Sequence, residues 1–499
     1  MLTGKNLIDG KWADSNTSNE NFDLDGIVFY QASKNQVELA CLAARRDFRD
    51  YSYQSNKGRA EFLRTIAAQI DILGDEITKT AMLETGLPEA RLVGERGRTT
   101  AQLKMFATLI EQDKYLDIRV DKALPDRIPV PRPDIRLTQR AIGPVVVFGA
   151  SNFPLAFSTC GGDTASALAV GCPVIVKGHS AHAGTAELVG QAIFNAIEKC
   201  NMPKATFQML QGSGRVIGSA LVNHPEINAV GFTGSLSGGR TLYDQCHSRK
   251  KPIPFYGELG SINPMFCLEN AMSSRAYEIA TGWVTSLTMG AGQFCTNPGV
   301  VVMVKGAAAQ EFENATKNAL KNSVEQKMLT DIICASLNDG VEAFSKQIEP
   351  VYLDGHICSD RCALPAVFKV DAKIWLESEV LQEEVFGALG VLIICDDKQE
   401  MLQLAENLEG QLTTTLFLNE ADEVFAHKLL PILEEKSGRI LCNGYPTGVE
   451  VCDAMMHGGP YPASTDSRVS SIGTIAITRW LRPLAYQNFP SNLLHCEIR

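Results

Sequence analysis

The segment Gly292-Gln293-Phe294-Cys295-Thr296 carries a side chain whose type and setting suit covalent chemistry. Cysteine attacks as the thiolate, and an ordinary thiol with a pKa near 8.5 is only about 3% ionised at pH 7. Around Cys295 the chain supplies glycine for access and backbone dipoles in place of charge: nothing from Ile279 to Val304 is ionisable except the thiol itself. Taken alone, the same residue also reads as a buried structural thiol, the ordinary fate of any one of the 14 cysteines.

Those cysteines form no framework. There is no CxxC pair, and His356, Cys358 and Cys362, the nearest approach to a metal cluster, have no second ligand pair at zinc-finger spacing. No metal is expected, and in a reducing cytosol most of the thiols should be free and buried. The net charge of -11 gives no basic footprint for nucleic acid. The first residues, MLTGKNLIDGKW, contain no apolar run of a secretory signal. Ala141 to Gly162 and Ile279 to Val304 are long and uncharged, but Gly, Pro, Asn or Gln interrupt both. They read as buried core and the backbone of a dry site, so the protein is expected to be cytoplasmic, with no membrane span.

The elements that must position Cys295 follow from periodicity. Helical spacing is expected over 36–50 and 58–86, where Phe62, Ile66, Ile70, Leu73 and Ile77 make one apolar face. Residues 115–140, with Pro125, Pro129, Pro131 and Pro133, read as extended ribbon. From Val145 strands and helices alternate: strands at 145–148, 174–176, 206–210 and 228–232, a helix-like stretch after Pro154, and helices at 183–199 and 215–222. That rhythm predicts a parallel sheet covered on both faces. A second α/β region is expected over 258–444, with strands near 263–267, 300–304, 391–395 and 414–418. The tail, Ser471 to Pro490, reads as a strand leaving the body.

Ligands of such sheets bind at the carboxyl ends of the strands. There the sequence offers Gly149-Ala150-Ser151-Asn152-Phe153-Pro154, Lys177-Gly178-His179-Ser180 and Thr233-Gly234-Ser235. These are turns with small residues and a helix N-terminus suited to phosphate. The GxGxxG fingerprint is absent, because Gly218 falls one residue too far from Gly212-Ser213-Gly214.

Phe255-Tyr256-Gly257-Glu258-Leu259-Gly260, followed 37 residues after Glu258 by Cys295, resembles the glutamate and cysteine signatures of the aldehyde dehydrogenase superfamily. Four more segments resemble family motifs in the same order: Ile8-Asp9-Gly10-Lys11-Trp12, Ser151-Asn152-Phe153-Pro154, Gly231-Phe232-Thr233-Gly234-Ser235 and Glu383-Glu384-Val385-Phe386-Gly387. The resemblance implies an α/β fold of three parts. A Rossmann-like cofactor domain would comprise 1–117, 141–257 and 445–468, a catalytic domain 258–444, and a small β oligomerisation domain 118–140 and 469–499. A homodimer or homotetramer is implied as well.

By the same resemblance Cys295 would attack the aldehyde carbon, Asn152 and the Cys295 N–H would hold the oxyanion, and Glu258 would activate the hydrolytic water. Its carboxyl pKa is expected to rise in a dry site. Gly234 and Ser235 would form the phosphate turn. Lys177 would hold the adenosine ribose, and Glu384 the nicotinamide ribose with Phe386 beside it. Many NAD-preferring members carry Glu three residues after the lysine; here Ser180 stands there, and Arg215 opens the next helix. Ser180 and Arg215 together suit a 2′-phosphate, so NADP is expected to be used well, with NAD also possible.

Three further segments, 98–103, 148–158 and 161–169, are similar to one branch. It holds α-ketoglutaric semialdehyde (2,5-dioxopentanoate) dehydrogenases and Vibrio-type NADP-dependent fatty aldehyde dehydrogenases. Phe153, Phe157 and Phe294 would line the tunnel, Arg98 would meet a distal carboxylate, and His457 stands where many members place an aromatic. The semialdehyde is the expected substrate and a fatty aldehyde the alternative. A cysteine-dependent acyl hydrolase or transferase without redox chemistry is the competing class; it would have no use for Lys177, Glu384 or the phosphate turn.

Overall fold

The computed structural model describes residues 2–15, 18–24, 26–354 and 358–499. Its first sheet has seven strands. From edge to edge they are Phe255–Glu258, Ala229–Thr233, Val145–Phe148, Val174–Lys177, Phe207–Leu210, Asn6–Ile8 and Lys11–Ala13. The first five are parallel and in register, so their carboxyl ends form one row: Thr233 lies opposite Glu258, Phe148 opposite Lys177, and Lys177 opposite Leu210. Strand order reverses on either side of Val145–Phe148, which opens a crevice at the end of that strand, where the Asn152 loop begins. The last two strands are a hairpin. Asp9 and Gly10, with φ of +49° and +69°, make the two-residue turn that matches strand twist.

The second sheet also has seven strands: Pro350–Leu353, Ala366–Asp371, Leu389–Cys395, Val300–Val304, Met265–Cys267, Gln411–Phe417 and Ser437–Cys442. Only the edge strand Pro350–Leu353 runs antiparallel. Cys295 precedes the amino end of Val300–Val304, whereas Glu258 ends a strand of the first sheet. The chemistry therefore sits where the carboxyl edge of one sheet meets the amino edge of the other.

Both sheets are apolar on both faces, as parallel sheets covered by helices require. The helices expected at 36–50 and 58–86 extend over Lys34–Ser52, Asn56–Ile72 and Gly74–Thr85, with Ser33 and Ser55 as caps. The stretch after Pro154 is not helical until Gly162–Val170. The amide groups of Leu155 and Ala156 are taken instead by the buried carboxylate of Glu95, which holds the loop open. Residues 214–223 form a π-turn, Gly214–Gly218, and then a short helix, Ser219–Asn223.

A three-stranded ribbon of Leu481–Gln487, Ile135–Ala141 and Arg119–Asp121 stands apart from both sheets. The tail is strand only over this last part. Thr474–Trp480 is a 3-10 helix, because Trp480 is fully buried with its indole N–H on Ser166 and Arg479 pairs with buried Asp163 at 2.7 Å.

Cys334 is joined to Cys358 in a disulfide, so these two thiols are not free. His356 lies outside the described residues. No helix among the described residues is long and apolar enough to cross a membrane.

Candidate active site

Cys295 is half-buried at the end of a loop fixed from three sides. Asn263, buried with φ of +48°, donates through its amide to the carbonyls of Cys295 and Asn297, both at 2.9 Å. Asn297 in turn donates to Gly387 O at 3.1 Å. Gly292, at φ +70°, packs so closely on this segment that a Cβ would lie 2.3 Å from the Gly387 carbonyl carbon. Glycine is required there on both counts.

Asn152 reaches the same loop from the first sheet. Its side-chain NH₂ donates to Gln293 O at 3.1 Å, leaving a second N–H for another acceptor. Among the described residues nothing accepts from the Cys295 backbone N–H. One of these donors belongs to the sulfur's own residue and the other is bonded to the loop that carries it, as an oxyanion site requires.

His457 joins the two catalytic candidates. Its Nε2 lies 3.3 Å from Cys295 Sγ and 3.0 Å from Glu258 Oε1. Ser471 Oγ donates to the other oxygen of Glu258 at 2.6 Å. The ring is held through its backbone: the His457 N–H donates to Ser470 Oγ, and its carbonyl accepts from the Ser471 N–H.

The electrostatics follow from these contacts. Burial alone would raise the Glu258 carboxyl, but His457, Ser471 and Cys295 together reverse this and hold it at about 2. The raised carboxyl expected from the sequence is therefore overturned: a dry site lifts a carboxyl only when it is not also well supplied with donors. Burial first and the Glu258 charge second push the Cys295 thiol well above its usual range, with Arg98 only partly counteracting them.

Arg91, Glu95 and Arg98 lie on one face of the helix Glu89–Glu111. The Arg91 guanidinium stacks over Phe294 at 4.6 Å and Phe153 at 5.0 Å, and that of Arg98 over Phe157 at 5.2 Å. Phe153 packs edge-on against both Phe157 and Phe294, and Phe157 continues to His457. A cavity of about 590 Å³ opens here, lined by Arg91, Arg98, Phe153, Phe294, Met289 and Lys327 among others. Arg91 spends one N–H on Asn152 O, yet Nε and Nη1 of Arg91 and Nε and Nη2 of Arg98 are buried without partners.

The remaining candidates lie along the carboxyl edge of the first sheet or face it. Lys177 is buried at its strand end, where desolvation lowers its ammonium to about 8. Ser180 begins the short turn that follows, and Arg215 is exposed at the end of the neighbouring strand. Gly234 N–H donates to Glu258 O at 3.1 Å, and Ser235 caps the helix Leu236–Ser248. Glu384 reaches to Gly260, where a Cβ would lie 2.8 Å from its Oε2. It is open to the cleft on one side, but protein encloses the rest and, with Glu258, raises its carboxyl. Phe386 is half-buried two residues on. This donor set fits a dinucleotide: amides at a helix start for pyrophosphate, an ammonium for one ribose and a carboxylate for the other.

Sequence reasoning missed Arg91, Glu95, Asn263 and Ser471. The spacing of Arg91, Glu95 and Arg98 was available as a signal. For Asn263 and Ser471 no local signal exists, since their partners are distant in the chain.

A raised thiol pKa has a direct consequence. Thiolate is the minority form at neutral pH and grows about tenfold per pH unit until the folded pKa is reached. Inactivation by iodoacetamide at Cys295 should therefore accelerate from about pH 6 to beyond the ordinary thiol range. A rate that levels off below pH 8 would contradict the described environment.

Comparison with known proteins places these features in a family. The aldehyde dehydrogenase family model matches residues 26–471. Alpha-ketoglutaric semialdehyde dehydrogenase 2 of Azospirillum brasilense is 49% identical over 94% of this chain and 90% of its own length. Alpha-ketoglutaric semialdehyde dehydrogenase of Acinetobacter baylyi is 44% identical over 98% and 95%. Among solved structures, a C291A mutant of aldehyde dehydrogenase C from Pseudomonas syringae, in complex with NAD+ and octanal, superposes with a TM-score of 0.82. It is 19% identical, over 98% of this chain and 97% of that one, which speaks to the fold alone. Betaine aldehyde dehydrogenase of Staphylococcus aureus with NAD+ gives 0.80 at 20% identity, over 99% and 97%. The chain, with its cysteine and glutamate at the junction of two parallel sheets, belongs to the aldehyde dehydrogenase family.

Proposed function

We propose that the protein oxidises α-ketoglutaric semialdehyde (2,5-dioxopentanoate) to 2-oxoglutarate with NADP as the preferred coenzyme. The observation that carries the substrate choice is the pair Arg91 and Arg98, which line the cavity beside Phe153 and Phe294 and carry buried N–H groups without partners. Unsatisfied buried guanidinium groups are costly, and a substrate carboxylate would satisfy them. The two semialdehyde dehydrogenases at 49% and 44% identity support the same choice. An aliphatic tail would bury those donors unpaired.

In this reading Cys295 adds to the aldehyde carbon, and Asn152 with the Cys295 N–H steadies the oxyanion. The coenzyme, when bound, supplies the hydride acceptor. The carbon is left as a thioester on Cys295, and Glu258 takes a proton from the water that hydrolyses it. His457 and Ser471 tune that base. In the resting site Glu258 accepts from three groups, including the Cys295 S–H, which makes it a weak base. Acylation of the sulfur removes one donor and restores basicity only when there is a thioester to hydrolyse.

Lys177, Ser180 and Arg215 serve the adenosine ribose and its 2′-phosphate, Gly234 and Ser235 the pyrophosphate, and Glu384 with Phe386 the nicotinamide ribose. The exposed apolar residues Val120, Ile128, Val130 and Phe489 on or next to the ribbon, with its open strand edges, support a homodimer or homotetramer. A nucleophilic thiol suits the reducing cytoplasm.

Steady-state kinetics with 2,5-dioxopentanoate and hexanal test the substrate. Wild type should favour the former, and Arg98→Leu should lower its kcat/KM by about 10–100-fold, the worth of a charge-assisted hydrogen bond, while sparing hexanal. A strong wild-type preference for hexanal would overturn the proposal. For the coenzyme, Arg215→Ala should lower kcat/KM for NADP relative to NAD; an unchanged ratio would remove Arg215 from the phosphate site. Light scattering should give a dimer or tetramer, and a monomer mass would contradict the ribbon's role.

A further inference from the structure

We infer that Glu258, Cys295 and His457 form a reversible binding site for a soft divalent cation such as Zn²⁺, which would block the nucleophile without taking part in the reaction. One ligand atom from each of the three lies within 4.8 Å of the others. The close edges are 3.3 Å from sulfur to Nε2 and 3.0 Å from Nε2 to Oε1. With Zn–S near 2.3 Å and Zn–N and Zn–O near 2.0 Å, the edges of a tetrahedron are about 3.3–3.6 Å. Seating the ion thus requires each short edge to open by only a few tenths of an ångström.

The donor types point to the cation. Thiolate and imidazole select zinc-like ions over magnesium or calcium. One thiolate and one carboxylate balance the two positive charges, so the occupied site is neutral in a pocket that penalises net charge. On binding, the Cys295 S–H bond breaks and its proton leaves to buffer as an S–Zn bond forms, while the His457 ring proton moves from Nε2 to Nδ1 so that the Nε2 lone pair meets the ion. Water would complete the fourth position, as it does in three-ligand zinc sites.

The surroundings set the strength. Ser471 fixes the far oxygen of Glu258, which is the supporting contact a metal ligand needs. His457 Nδ1, by contrast, is buried without a partner, and the Arg98 guanidinium adds repulsion to a cation. Both weaken the site relative to a structural zinc centre, so binding should be removable by chelator. Aldehyde dehydrogenases with an aromatic residue at the His457 position would lack the third ligand.

Cobalt is the direct probe. Co²⁺ titrated into coenzyme-free protein should bind one equivalent, with thiolate-to-metal charge transfer and the intense bands of tetrahedral geometry. Cys295→Ala should abolish the charge transfer. His457→Phe should weaken binding by more than the roughly 10–100-fold typical of outer-shell changes. Circular dichroism of both variants checks folding. In parallel, Zn²⁺ should protect Cys295 from iodoacetamide and inhibit competitively with aldehyde, both reversed by EDTA. Co²⁺ spectra without a thiolate band, or affinity unchanged in both variants, would overturn the site. None of these readouts depends on which aldehyde the protein oxidises.

Discussion

A single carboxylate governs the site. Glu258 is fully enclosed, and an isolated charge there would be driven to neutrality. It stays ionised because a ring nitrogen and a hydroxyl bond its two oxygens and a thiol stands beside them. Each of those donors comes from a different part of the chain, so the folded state must bring four segments together before the charge can exist. The network is a condition on the fold as much as a device for chemistry.

The two sheets meet that condition in different ways. The first delivers Glu258 at a strand terminus, in register with Thr233, and ties its carbonyl to the Gly234 amide. The Gly234 turn and the Glu258 carboxylate are thereby one rigid unit. The second delivers the sulfur on a loop that no regular hydrogen-bond ladder holds. Asn263 substitutes for the ladder by bonding the loop's carbonyls with a side-chain amide. Glu95 does the same for the Asn152 loop from below. Asn263 uses both its amide oxygen and its NH₂, whereas Glu95 spends one carboxyl oxygen on both amides and leaves the other buried without a partner.

How much of this was legible in the sequence follows the range of the interactions. Cys295, Glu258 and Asn152 stand in short local patterns, and the alternation of strands with helices gave the parallel sheets. The meeting of the Cys295 loop with the carboxyl end of the Glu258 strand was not legible, because it depends on how one sheet abuts another. The fate of the chain after Pro154 was hidden too. Its local propensity is helical, but a glutamate some 60 residues earlier claims its amides. The sign of the Glu258 shift failed for the same reason. Burial can be guessed from a charge-free stretch, whereas the donors at His457 and Ser471 are about 200 residues away.

The path of the tail ties assembly to chemistry. Ser471, which grips the catalytic carboxylate, is ten residues upstream of the strand Leu481–Gln487, and the span between them is anchored by Arg479 and Trp480 rather than slack. Reaction centre and outer ribbon are thus two ends of one taut tether. A force that pulls on the ribbon is transmitted along about two turns of 3-10 backbone to the hydroxyl that bonds Glu258.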